Sequence, residues 1–278
     1  MTAGADGWFA GVDPTDDDAG AEGIREGRAA TPRDWPARAV EAGIVEDAGA
    51  YYDALHAASL AATRAAVEAA ERADDQQLVH AVRAMDDLSV HANEVAERAV
   101  EWAGTRFSDV GTGIEGARDV AAREPADAVD ERVISVAETA VALADERDAL
   151  RAFVERSAPS VAPNLATLAG PVLAARLIAL AGGLEELAKK PSGTVQVLGA
   201  EDALFAHLAG RAPSPKHGVI FTHEAVRTAP TDRRGSVARA LAGKLAIAAR
   251  VDHYAGDRRP ELEEELADRL ARARGEEA

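Results

Sequence analysis

The chain has 278 residues, of which 47% are apolar but only 4% aromatic, so its cores must be built mostly from Ala, Leu and Val. That composition favours helices. It has no cysteine, which excludes disulfides and thiolate metal sites. No apolar run reaches the length of a membrane span. The start, MTAGADGWFAGVDPTDDD, has neither the basic end nor the apolar stretch of a signal peptide. A cytoplasmic protein with no membrane partner is expected.

The net charge of -17 argues at first against nucleic acid, because phosphates are neutralised by Lys and Arg. The charge is uneven, however. Residues 1–48 carry net -7, 49–156 net -11, 157–256 net +4 and 257–278 net -3. The only four lysines, Lys189, Lys190, Lys216 and Lys244, all lie in the basic segment. Abundant carboxylates with scarce Lys fit a halophilic cytoplasm, where salt screens their repulsion. A basic segment kept within such a chain reads as a phosphate-binding face.

In chain order, residues 1–35 show little periodicity. Trp8, Phe9 and Val12 are able to pack, while Asp16, Asp17 and Asp18 read as a solvated loop. A helical pattern begins near Trp35, and Ala48 to Ala73 continues it. Next comes an apolar seam at Leu78, Val82, Met85, Leu88, Ala92, Val95, Ala99 and Trp102. Its spacing predicts a long helix meeting another. Residues 108–126 break the pattern, and a second seam follows at Val136, Ala140, Leu143, Arg147, Leu150 and Val154. Two such helices read as an antiparallel hairpin or as an ordinary globular pair. Arg147 has to snorkel if the seam is tight. The stalk is expected to end at 158–164, with Asn164 capping an apolar helix. Pro171 should restart that helix and Gly182-Gly183 should stop it. A short β-branched piece (194–198), a helix from Gly199 to about Ala209, an apolar piece (219–221), a strong helix from Gly235 to about Val251, and a charged helix or frayed tail from Arg258 complete the chain.

Enzymatic motifs are not found. His223-Glu224 begins like a zinc-protease helix, but Arg227 stands where a histidine is needed. The stretch from Gly235 to Lys244 lacks the first glycine of a phosphate loop, and Lys244 is followed by Leu245. The seven histidines have no ligand spacing. Gly182-Gly183 follows no strand that would make it a dinucleotide turn. No catalytic residue, metal or cofactor is expected.

Within the basic segment, the runs VAPNLATLAG, LAARLIALAGGLEELAKKPSGTVQVLGAEDALF, PKHGVIF and ARALAGKLAIAARVD resemble the Nop domain. The upstream run LVHAVRAMDDLSVHANEVAERAVEWAGTRF resembles the start of the stalk in the same proteins. The resemblance covers roughly residues 36–256. It is strongest to the archaeal members of box C/D ribonucleoproteins and more distant to the spliceosomal member. It implies a mainly α fold: a long helical-hairpin (coiled-coil) stalk followed by an all-helical Nop domain. The implied division is a short acidic N-terminal segment at 1–35 (a reduced fibrillarin-binding region), a stalk at 36–156, a Nop RNA-binding domain at 157–256 and a charged tail at 257–278. The implied role is a non-catalytic scaffold for RNA-guided 2′-O-methylation of rRNA and tRNA. Its partners would be a guide RNA with a kink-turn, the ribosomal-protein-like protein that binds the kink-turn, fibrillarin, and a second copy through the coiled coil. A Nop-domain RNA-binding protein of another assembly, without fibrillarin, and a purely structural helical adaptor remain alternatives.

By the same resemblance, Lys189, Lys190 and Ser192 fall where the family meets the RNA backbone. Gly199, Ala200 and Glu201 begin its Gly-Ala-Glu-Lys motif, where a helix N-terminus offers N–H groups to a phosphate. Lys216 and His217 reach the kink-turn stem, His217 by stacking or by a phosphate bond. Arg233, Arg234 and Arg239 lie on the RNA-facing side. Lys244 and Arg250 are read as partners of core carboxylates. The motif's Lys is Asp202 here, and the Arg after Ala-Leu-Phe is Ala206. With those two contacts gone, the salt dependence of RNA binding should be weak. The short N-terminal segment and the abbreviated connection at 108–130 are the other departures, and they bear on fibrillarin binding and dimerisation.

Overall fold

A computed structural model describes residues 7–10, 17–27 and 31–275. All regular structure among the described residues is helical. Two compact units make up the chain, Met1–Ala73 and Asp74–Ala278.

The first unit holds α1 (Asp17–Glu26), α2 (Trp35–Glu41) and α3 (Ala48–Glu71). Asp34 and Asp47 cap α2 and α3, accepting from the N–H groups of Ala37 (3.2 Å) and Ala50 (2.8 Å). Five of the chain's eleven aromatic residues lie in this unit. Phe9 and Tyr51 are buried with Ala39, and Trp8 and Trp35 pack beside them. The rings meet edge-on, Phe9 against Tyr51 at 6.1 Å, and Trp8 Nε1 donates to the Tyr51 hydroxyl at 3.2 Å. The solvated loop expected at Asp16–Asp18 is corrected in part. Asp17 and Asp18 begin α1. Asp16 and Val12 lie outside the described residues.

The second unit begins with α4 (Asp74–Ala103), α5 (Gly113–Ala121) and α6 (Ala128–Val161). Long helices α4 and α6 pack along each other as a hairpin, and α5 lies against both at the far end. The buried residues there are Ala96, Ala99, Ala103, Ala117, Val120, Val133, Ala137 and Ala140. This shifts the seam read from the sequence: Val95, Val136 and Leu143 are half-buried, and Trp102 is 41% exposed. A straight helix drifts relative to a 3.5-residue repeat, and small alanines let a third helix approach closely. Arg147 does snorkel, reaching Asp148 with Nε at 2.9 Å.

Seven short helices and two longer ones follow the hairpin or its loops in sequence. They include α7 (Pro163–Ala169), α8 (Pro171–Ala181), α9 (Leu184–Lys189), α10 (Ser192–Val197) and α11 (Glu201–Leu208). After them come a 3-10 turn (Val219–Thr222), α12 (Glu224–Arg227), α13 (Arg234–Tyr254) and α14 (Glu261–Arg274). Pro171 restarts the chain at α8, bent by 116° from α7. Gly182 ends α8 in the left-handed conformation (φ 97°) that glycine adopts without strain. No single described helix is long and apolar enough to cross a membrane. One core joins the base of the hairpin (Leu78, Val82, Met85, Val154, Ala158) to Leu165, Leu177, Leu241 and Leu245. It extends to Leu262 and Leu266 of α14, so the charged tail is a packed helix.

Helices α7 to α11 make no side-chain N-cap bond of their own. Two caps come from distant helices instead. Asp252 of α13 accepts from the N–H groups of Asn164 (3.0 Å) and Leu165 (2.8 Å), and from the Asn164 amide (2.6 Å). Asp75 of α4 accepts from the Leu184 N–H at 2.9 Å and so caps α9. The cap expected of Asn164 is therefore corrected. Asn164 is fully buried, donating also to the Asp257 carbonyl and accepting from the Arg259 N–H. Arg250 is corrected likewise. It donates to the Ala188 and Lys190 carbonyls at the end of α9 (both 3.0 Å), not to a carboxylate. Lys244, 3% exposed, does pair with a carboxylate, that of Glu265 on α14.

Asp252→Ala should destabilise the second unit by about 3 kcal/mol, because it leaves several buried donors unmet. Asp252→Asn, which keeps one acceptor, should cost less. Chemical denaturation followed by circular dichroism measures both.

Candidate nucleic-acid interface

The sequence-predicted residues form two groups along α13. The first gathers around the loop that carries Lys216 and His217. This loop is fastened to the segment before α11: the Gly218 N–H donates to Gln196 O (2.9 Å), Val219 N–H to Leu198 O (2.7 Å), and Gln196 Nε2 to Lys216 O (2.6 Å). Gly218 is required by close approach, since a Cβ there would lie 1.9 Å from the Leu198 carbonyl oxygen. Opposite, the Gly199 N–H donates to the Glu201 carboxylate at 2.8 Å, so Glu201 already engages the turn's free donor. Ala200 is the N-cap residue of α11. The Lys216 side chain lies alongside Gly235, at the start of α13.

His217 stacks on Phe221 with ring centroids 4.7 Å apart and planes 19° from parallel. The Arg234 guanidinium sits 5.4 Å from the same ring. Arg234 also donates to the Ala229 carbonyl at 3.3 Å, while its Nε is buried with no hydrogen-bond partner among the described residues. Burial first, and then the charges of Arg234 and Lys216, hold the His217 imidazole below its ordinary range, favouring the neutral form. Arg233 lies 3.7 Å from Asp232 and beside Gly275 after α14. Arg239 is exposed further along α13.

The second group, Lys189, Lys190 and Ser192, lies at the other end of α13, where Arg250 binds the Lys190 carbonyl. From Gly235 to Arg250 the helix rises about 22 Å. Lys189 bridges Glu185 (2.8 Å) and Glu186 (2.9 Å) on its own helix, and these bonds raise its pKa. Such exposed pairs contribute little energy, but a phosphate must compete with them. Ser192 begins α10, which packs on α13.

Sequence reasoning missed Phe221, the ring that joins His217 to Arg234, because its two partners come from different segments, the loop before it and the start of α13. It also missed the exposure of Phe205 (64%) and Leu208 (72%) on α11, which has no buried residue. Asp202 is exposed on the same helix. Behind the loop, His223 bridges two elements. Its Nδ1 accepts from the Ala225 N–H (3.1 Å), which assigns the proton to Nε2, donating to the Leu168 carbonyl (3.1 Å).

Residues 117–273 match the model of the Nop family, described as "snoRNA binding domain, fibrillarin". The chain belongs to the Nop family. It is 49% identical over 138 residues to an uncharacterized NOP5 family protein of Methanocaldococcus jannaschii, covering 50% of this chain and 32% of that one. It is 33% identical over 221 residues to nucleolar protein 58 of Candida glabrata, covering 66% of this chain and 43% of that one. This Nop-family chain therefore spans less than half the length of these relatives. Its fold is similar to that of a chain in the crystal structure of a fibrillarin/Nop5p complex, with a TM-score of 0.53 and 26% identity, covering 92% of this chain and 91% of that one.

Burial pushes the His223 pKa down, so the unfolded chain takes up this proton more readily than the folded one. Its contribution to stability is complete above the ordinary value of about 6.5 and is lost as pH falls. Thermal denaturation between pH 7 and 5 should show a shallower decline for His223→Asn than for the parent.

Proposed function

We propose that this Nop-family chain is a non-catalytic RNA-binding scaffold of a box C/D-type ribonucleoprotein. In this reading, residues 157–256 dock on a kink-turn RNA together with the ribosomal-protein-like protein that holds it, as part of the machinery that guides 2′-O-methylation. The observation that carries it is the Lys216–His217–Phe221–Arg234 cluster. It brings a cation and a stacked aromatic pair, on a stretch fixed by backbone bonds, together with a second cation from the start of α13, in the one net-positive segment of an acidic chain. Cations position a phosphate backbone and exposed rings meet bases.

The family description and the names of the relatives support the same reading. Phe205 and Leu208 on α11 give an apolar surface beside the Gly199 turn for the protein partner to cover. The hairpin of α4 and α6 supports self-association through the stalk, with fibrillarin as the enzyme carried by the assembly. The acidic surface supports a halophilic, cytoplasmic setting. Fibrillarin in a pull-down separates this role from that of a Nop-domain protein serving another assembly.

Binding of a kink-turn RNA with its protein partner, measured by anisotropy in high salt, tests the reading. Lys216→Ala and Arg234→Ala should each weaken binding about tenfold or more. Lys189→Ala should weaken it less, because Glu185 and Glu186 already engage that cation. Unchanged affinity in Lys216→Ala and Arg234→Ala together would sink the proposal. Affinity should also vary only shallowly with salt, since few phosphate contacts release counterions.

A further inference from the structure

Next to the basic loop, a groove of about 620 Å³ opens between α4, α8 and the 218–222 segment. We infer that it holds one unpaired nucleobase of the bound RNA, and that it prefers a base with an exocyclic amino group. The inference rests on the RNA-docking reading and adds a site to it.

The volume lies within the range of small-ligand sites. The walls are largely apolar, and two of their side chains, Leu180 (45% exposed) and Phe221 (37%), are left facing solvent. Bare backbone at Gly199 and Gly218 completes one side. The polar groups are few and distinct. Arg176 holds Asp86 with both Nε (3.0 Å) and a terminal nitrogen, leaving the carboxylate with acceptor capacity to spare. Arg83 donates to the Ala179 carbonyl at 3.3 Å and keeps further donors.

This combination selects among occupants. A phosphate would meet the Asp86 carboxylate. An aliphatic side chain would leave the spare acceptor capacity of Asp86 and the spare donors of Arg83 covered and unmet, at a cost in binding. A nucleobase has two apolar faces and an edge that both donates and accepts. Carboxylates accept from exocyclic amines such as that of cytosine, which uracil lacks. Phe221 belongs both to the groove and to the His217–Arg234 cluster. A strand whose phosphates meet Lys216 and Arg234 therefore has the groove within reach of an adjoining base.

The test uses the full chain, the kink-turn RNA and its protein partner. The RNA is compared without an extension, with a three-cytidine single-stranded extension at either end, and with three uridines. The cytidine extension should tighten binding about fivefold or more, and the uridine extension much less. Leu180→Trp, which fills the groove, should remove the gain while the unextended RNA binds as to the parent. Arg83→Ala, an exposed change, should reduce the gain if Leu180→Trp fails to fold. Unextended RNA that binds normally while no extension adds affinity, or a gain that persists in the filled groove, would overturn the inference and leave the docking reading standing. If the filled groove weakens every RNA equally, it holds a partner's side chain instead, and the inference also fails. Absence of any RNA binding would remove both readings.

Discussion

The second unit depends on a single buried carboxylate. Asp252 closes the N-terminus of α7, binds the Asn164 amide and, through Asn164, reaches the chain at Asp257 and Arg259. Two stretches distant in sequence, residues 164–165 and 252–259, thus meet at one hydrogen-bonded centre, and its bonds support one another. Helices of six or seven residues have no stability of their own in water. Here they persist because their open ends are closed from outside: by Asp252 at α7, and by Asp75 and Arg250 at the two ends of α9.

This design also fixes the basic residues. Helix α13 carries structural groups from its middle to its C-terminal end (Lys244, Arg250, Asp252) and exposed or loop-facing cations at its N-terminal end. Lys190 sits at one end because Arg250 binds its carbonyl, and Lys216 at the other because it lies against Gly235. The helix sets the spacing between the two groups. The loop between them is held by backbone bonds to residues 196–198 rather than by its own sequence.

Features governed by neighbours in sequence were legible without the structure: the restart at Pro171, the stop at Gly182, the extent of α3, and the presence of long helices at α4 and α13. The charge count located the basic segment. What escaped depends on partners far along the chain. Asn164 has the character of a capping residue, but its partner is 88 residues away. Phe221 reads as one member of an apolar run until His217 and Arg234 close on its ring. The register of the stalk was misjudged toward its far end because the helix joining it there, α5, came from a Gly-rich stretch that reads as a connection.

The way the hairpin is rooted has a mechanical consequence. Its base residues, Leu78, Val82, Met85, Val154 and Ala158, are shared with the core that carries the basic loop. Helices of 30 and 34 residues extend roughly 45–50 Å. Beyond that root the arms reach roughly 27–39 Å, so a rotation of about 5° there would sweep the distal end through about 2–3 Å. The hairpin therefore has the geometry of a lever whose fulcrum is the core beneath the basic loop, so that small adjustments there would become larger displacements at its far end.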